Sequence, residues 1–151
     1  MEGATAGVAT FSIYASWDPA AKKGRLANAD GSFVAAHAGA AALDGKGGTA
    51  NPEELLLAAV SACFVQTWAI FVAKLKLPIA APRLDATCEM DKDPAGGYHV
   101  TRIDLFPHIP AALLEGRKAD VEKTLSLAEK YCIVSKAVKA SVPVSVSVKT
   151  V

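Results

Sequence analysis

Apolar and polar positions change period several times along this chain of 151 residues, and each change marks an element. Positions 11–17 alternate apolar with small polar residues, a strand pattern that Asp18-Pro19 ends. Lys22-Lys23-Gly24-Arg25 reads as a basic turn and Ala29-Asp30-Gly31-Ser32 as a second turn, with a short strand over 32–37. The alanine- and glycine-rich run 38–48 reads as a loop. From Asn51 the alternation gives way to a long apolar run. Asn51 suits an N-cap, Pro52 the first helical position, and Glu53 and Glu54 the positive end of the helix dipole. The run predicts a helix to about Lys76, on the order of 38 Å long, stopped by Pro78. Apolar nearly all round, it is expected to be the central core helix. Ser61, Gln66, Lys74 and Lys76 interrupt it, so it reads as buried in protein and not as a membrane span.

Alternation returns over 83–91, with Leu84, Ala86, Cys88 and Met90 on one face, and again over 98–106. Asp93-Pro94-Ala95-Gly96-Gly97 between them is a hairpin signal. Pro107 and Pro110 are expected to break the second strand. A helix follows over 117–131 with Val121, Leu125 and Ala128 on one stripe, then a short helix over 134–140 and a strand over 142–149. The order is strands, long helix, strands, helix pair, strand. It predicts an α+β fold, with 1–151 as a single domain.

Composition narrows the class. An apolar fraction of 52% with 21% charged residues describes a core-rich globular protein, with apolar surface that self-association would cover. The net charge of +1 gives no electrostatic footprint for nucleic acid or an anionic membrane. Met1-Glu2-Gly3-Ala4-Thr5 has neither the basic nor the apolar region of a signal peptide, which points to the cytoplasm. In a reducing compartment, three cysteines are catalytic or simply buried more often than crosslinked.

The cysteines differ in setting. Cys63 lies mid-helix among Ala59, Val60, Phe64 and Thr67, where burial without help would keep it protonated; its plain reading is a core cysteine. Cys132 lies between two helical segments, where N–H groups of the second can stabilise a thiolate and Ser135 stands within hydrogen-bonding range in sequence. Its plain reading is a buried loop cysteine. Cys88 falls on the inward face of a strand and reads as core. A thiolate that attacks a peroxide becomes a sulfenic acid, and a second cysteine can capture it as a disulfide.

Asn51-Pro52-Glu53-Glu54-Leu55-Leu56 with Ala62-Cys63-Phe64, followed by Cys132-Ile133-Val134-Ser135-Lys136-Ala137, closely resembles the OsmC/Ohr family of organic hydroperoxide reductases. The resemblance covers essentially the whole chain. It implies antiparallel sheets around the long helix in an intertwined homodimer, and a thiol peroxidase that needs no cofactor. It implies that Cys63 is the peroxidatic nucleophile and Cys132 the resolving cysteine. It implies that Glu53 pairs with an arginine that holds the thiolate, and that a small dithiol or lipoylated protein supplies electrons. Leu56, Val60, Phe64, Trp68 and Phe33 would form an apolar lining that favours alkyl or fatty-acyl hydroperoxides. Ten residues of helix set Glu53 about 15 Å from Cys63 along the axis and roughly 80° around it. Cooperation between them would therefore use the glutamate of a second subunit.

The arginine is where the chain departs from the family. Its slot before Asp30-Gly31 falls near Lys22, the nearest arginine is Arg25, and 41–46 has none. Either Arg25 takes the role, or Lys22 or Lys23 substitutes without the planar guanidinium fork, or the site is weakened. Lys22, Lys23 and Arg25 read equally as a solvated turn, and Lys136 as a solvent-facing lysine. Cys132 is followed by Ile133 where family members often carry proline. The departure motivates an alternative: a non-catalytic relative binding an apolar small molecule. His37, His99, His108 and Cys88 have no ligand spacing within a helix or turn, so no metal site is read.

Overall fold

The computed structural model describes residues 7–151, and the N-terminal reading of Met1 to Thr5 lies outside the described residues. The chain forms two compact units, one ending at Pro52 and one running from Glu53 to Val151.

The first unit is a three-stranded antiparallel sheet in the order β1 (Tyr14–Asp18), β2 (Lys23–Ala27), β3 (Val34–His37). A 3-10 turn, Ala41–Leu43, interrupts the loop that follows. The basic segment expected as a turn is largely strand β2. The reversal lies just before it, where Asp18 Oδ1 accepts the Ala20 and Ala21 N–H groups and Lys22 takes the left-handed conformation at φ 52°. Lys46 Nζ donates to the Ala21 carbonyl and ties the later loop to this turn. Gly24 is required here, because a Cβ would collide with the His37 ring and the Ser16 carbonyl. His37 Nε2 donates to that carbonyl at 3.2 Å, and its ring stacks on Trp17 at 5.7 Å between centroids.

The second unit holds helix α1 (Pro52–Lys74), strands β4 (Leu84–Lys92) and β5 (Tyr98–Ile109), helices α2 (Ala111–Gly116), α3 (Lys118–Tyr131) and α4 (Ile133–Lys139), and strands β6 (Val144–Val146) and β7 (Lys149–Thr150). Helix α1 starts as the sequence predicts, with Pro52 first and Glu53 and Glu54 in the first turn. It ends before the proline. Lys76 turns left-handed at φ 52°, the Leu77 N–H reaches the Val72 carbonyl, and the Lys76 N–H reaches that of Ala73. This is a Schellman turn with lysine where glycine is usual, and buried Leu77 packs beside Val72 in the core cluster. Arg117 completes the cap: its guanidinium donates to the Lys76 and Leu75 carbonyls, each at 3.0 Å, and pairs with Asp120.

The larger sheet is mixed. The expected antiparallel pairing holds for β4 and β5 around a turn in which Asp93 Oδ1 accepts the Ala95 N–H. Strands β6 and β7, however, run parallel to β5. Pro107 does not break β5. It pairs across from Leu84, and the stretch of chain it faces on the other side is the gap between β6 and β7, where a residue without N–H costs no ladder bond. Pro110 begins α2 as its N-cap and does not merely end the strand. Asp85 of β4 takes Lys149 of β7 and lies 3.0 Å from His108 Nε2 of β5, tying three strands; Lys149 first and His108 second hold its carboxyl below the usual carboxylate range.

Only one stripe of α1 is deeply buried: Val60, Phe64, Trp68 and Val72, spaced by four. It meets Ile103, Leu105 and Ile109 of β5, Val121, Leu125 and Ala128 of α3, and Cys132. By length and hydropathy α1 could cross a membrane, yet this stripe is the centre of the protein core. The other sides carry apolar residues at the surface, with Ile70 53% exposed. Trp68 fixes the helix pair polarly as well: its indole N–H donates to Thr124 Oγ1 at 3.1 Å, and that hydroxyl donates to the Val121 carbonyl at 2.7 Å. Thr124→Val should leave the buried indole N–H without an acceptor and destabilise the protein by about 1–3 kcal/mol. Urea denaturation measures this, and an unchanged midpoint would contradict the role given to the pair.

Candidate active site

Cys63 projects from the middle of α1, and what it meets is the start of α4. The Cys63 thiol interacts with the backbone N–H groups of Val134 and Ile133 and with the thiol of Cys132. Cys132 is the residue that caps α4: the Ser135 N–H donates to its Sγ at 3.5 Å, and its carbonyl accepts the Lys136 N–H at 3.1 Å. Helix α3 delivers the segment, since the Cys132 N–H closes the last turn on the Ala128 carbonyl. Two sulfurs about seventy residues apart in sequence are therefore neighbours, both as free thiols.

Their surroundings displace the two thiols in opposite directions. Burial pushes the Cys63 thiol up, but the Val134 N–H, the Cys132 thiol, the Ile133 N–H and the Thr67 hydroxyl together outweigh it, leaving the pKa below the ordinary value. Thr67 stands one turn along α1 and also donates to the Cys63 carbonyl at 2.8 Å. Cys132 is fully buried, and burial raises its thiol pKa. Ser135 opposes this rise through its hydroxyl and its N–H, while Cys63 adds to it. At a given pH Cys63 is thus the readier thiolate, and Cys132 holds its proton longer.

Glu53 lies in the first turn of α1, half-buried, with Oε2 buried and without a hydrogen bond among the described residues. Its charge acts on Cys88: burial first and Glu53 second push that thiol up. Glu53 is not among the groups that set the Cys63 thiol, as expected from their separation along one helix. No sequence signal linked Glu53 to Cys88, because the pairing joins a helix start to a distant strand. Arg25 is exposed on β2, opposite Ser16 and Ala36, in the first unit. Lys22 is exposed in the turn, Lys23 opens β2 opposite Asp18, and Lys136 faces solvent on α4. In the first unit His37 of β3 lies beside Ser16; in the second, His99 and His108 lie near opposite ends of β5, beside Asp93 and Asp85.

The apolar lining departs from expectation. Val60, Phe64 and Trp68 have no exposed surface and belong to the core, so they cannot face a substrate; Leu56 is half-buried and Phe33 is 40% exposed. A cleft of about 450 Å³ opens further along α1, lined by Thr67, Ile70, Phe71, Lys74, Leu127 and Tyr131, of which Thr67 stands one turn from Cys63.

A family model described as OsmC-like protein matches residues 45–147, which include both cysteines and Glu53. The chain belongs to the OsmC-like protein family. Among the relatives of this OsmC-like chain is an organic hydroperoxide resistance protein-like 2 from Staphylococcus epidermidis, 30% identical over 128 residues, spanning 84% of this chain and 87% of the relative. Solved structures share the fold. An organic hydroperoxide resistance protein from Legionella pneumophila superposes with a TM-score of 0.78 at 24% identity, covering 95% of this chain and 98% of that one. One from Elizabethkingia anophelis gives 0.77 at 21% identity, covering 97% and 99%.

Peptide-resolved alkylation with iodoacetamide from about pH 5 to about pH 10 separates the thiols. Because only the thiolate reacts, the lowered pKa moves half-maximal reactivity of Cys63 below that of an ordinary thiol. Cys132 should titrate above it. A Cys63 midpoint at or above that of Cys132 would contradict the electrostatics of the site.

Proposed function

We propose that this protein is a thiol-dependent peroxidase that reduces organic hydroperoxides. The observation that carries the reading is the contact of Cys63 with Cys132 at the start of α4, with the acidity of Cys63 raised and that of Cys132 lowered. The Cys63 thiolate attacks the terminal oxygen of the hydroperoxide. The O–O bond breaks, the alkoxide takes a proton and leaves as an alcohol, and Cys63 becomes a sulfenic acid. Cys132 attacks that sulfur, hydroxide leaves and is protonated to water, and a Cys63–Cys132 disulfide remains. A dithiol, small or carried as a lipoyl group on a protein, returns two electrons and two protons. No cofactor enters these steps.

The two units act together as one domain within an intertwined homodimer. Apolar side chains at the surface of each protomer support this assembly, among them Tyr14, Trp17 and Val34. Glu53, acting across the dimer on the Cys63 of the other protomer, holds the cation that stabilises the thiolate, and the buried Oε2 without a donor among the described residues favours that role. Arg25 is the residue we assign as that cation, with Lys22 or Lys23 as the alternative that lacks the planar fork. The alkyl group of the substrate lies in the cleft around Ile70 and Phe71, which favours organic over hydrogen peroxide. The cytoplasm, where thiols stay reduced, is the fitting compartment.

An assay with tert-butyl hydroperoxide and dihydrolipoamide tests the reading. Wild type should turn over. Cys63→Ser should fall to background, and Cys132→Ser should complete one oxidation and then overoxidise at Cys63. Undiminished turnover in Cys63→Ser excludes the assignment. Wild-type thiols that stay intact under peroxide would favour the non-catalytic binder of an apolar small molecule.

A further inference from the structure

Ser135 is a buried polar side chain next to Cys132 whose hydroxyl has no hydrogen-bond partner among the described residues. It is 1% exposed. Its backbone already donates to Cys132 Sγ at 3.5 Å, which fixes the residue against that sulfur. The hydroxyl is also the first of the groups that counter the effect of burial on Cys132. A buried donor left without an acceptor costs stability. The Cys132 sulfur is the neighbouring atom on which that hydroxyl acts, and it becomes a strong acceptor when it carries charge. Cys63 is the titratable group that acts on Cys132 in this setting.

The second observation is unequal access. Cys132 has no exposed surface, whereas Cys63 is only half-buried. A dithiol approaching the Cys63–Cys132 disulfide therefore reaches the Cys63 sulfur. Attack there forms a new S–S bond to Cys63 and breaks the old one, whose electron pair leaves on Cys132 as a thiolate. The second thiol of the reductant then closes its own disulfide and releases Cys63, so two electrons and two protons pass from the dithiol to the cysteine pair. The departing Cys132 thiolate is formed in a buried place, where an unsatisfied negative charge is costly.

We propose that the Ser135 hydroxyl turns to Cys132 Sγ as that sulfur is expelled, which makes Cys132 the leaving thiolate and directs the mixed disulfide with the reductant onto Cys63. This rests on the thiol-peroxidase reading for the origin of the disulfide in the cell, but not for the behaviour of the disulfide once formed.

The test accordingly makes the disulfide with diamide, without peroxide, in the full chain. Reduction by dihydrolipoamide should slow about three- to tenfold in Ser135→Ala, the worth of one hydrogen bond. It should recover in Ser135→Thr, which keeps the hydroxyl. In a Cys63→Ser background, Ser135→Ala should raise the alkylation midpoint of Cys132 by about half to one pH unit. With limiting 2-mercaptoethanol, the adduct on the oxidised wild type should map to the Cys63 peptide, with Cys132 free to alkylate. An adduct on Cys132, or a Ser135→Ala variant with unchanged reduction rate and unchanged midpoint, would overturn the proposal. The adduct position in the wild type decides even if a variant folds poorly. A wild type that behaves as expected in these arms and yet consumes no peroxide would remove the peroxidase reading and leave the role of Ser135 standing.

Discussion

The nearness of the Cys63 sulfur to the first backbone N–H groups of α4 is the constraint on which the proposed thiol chemistry depends. A cysteine in the middle of a buried helix has every local reason to stay protonated. Here the helix is aimed so that its sulfur meets Ile133 and Val134, where N–H groups lack helical partners because the helix has just begun. That aim is set elsewhere. The stripe Val60, Phe64, Trp68 and Val72 seats α1 against β5 and α3. Trp68 and Thr124 fix the pairing of α1 with α3, and Arg117 grips the carbonyl end of α1. Helix α3 then hands over to Cys132 directly, so the same packing that holds α1 also delivers the second sulfur.

Burial then sets the two thiols apart. The two thiols share one neighbourhood but not one environment. Cys63 is half-buried and receives donors from another segment; Cys132 is sealed and caps its own helix. Groups whose environments push their pKa values apart divide naturally into an attacking and a waiting partner. Cys88 shows what a cysteine does without such help. Burial and the charge of Glu53 both press its thiol toward the neutral form, and it stays with the core side of β4.

Much of this was legible in the sequence, and the rest was hidden for identifiable reasons. The start of α1 carried its signals locally in Asn51, Pro52 and Glu53, and α3 and α4 fell where periodicity put them. The end of α1 did not, because a Schellman turn with lysine in the left-handed position has no glycine to announce it. Strand β2 read as a turn since its sequence, Lys23-Gly24-Arg25, is polar; its glycine answers to His37 across the sheet, a contact no local window contains. Pro107 looked like a strand breaker because the gap it faces is made by residues forty positions later. The parallel direction of β6 and β7 could not come from alternation, which gives a face and not a partner. At the site, the segments carrying both cysteines were readable, but the help that Cys63 receives was not, since it comes from backbone N–H groups that only the fold brings near.

Peptide mapping after mild oxidation shows whether the two sulfurs join. The full chain, exposed to about one equivalent of an organic hydroperoxide and then blocked and digested, should yield a linked peptide joining Cys63 to Cys132, with Cys88 recovered as a free thiol. Intact thiols at both positions, or a linkage that includes Cys88 in place of either one, would contradict the account.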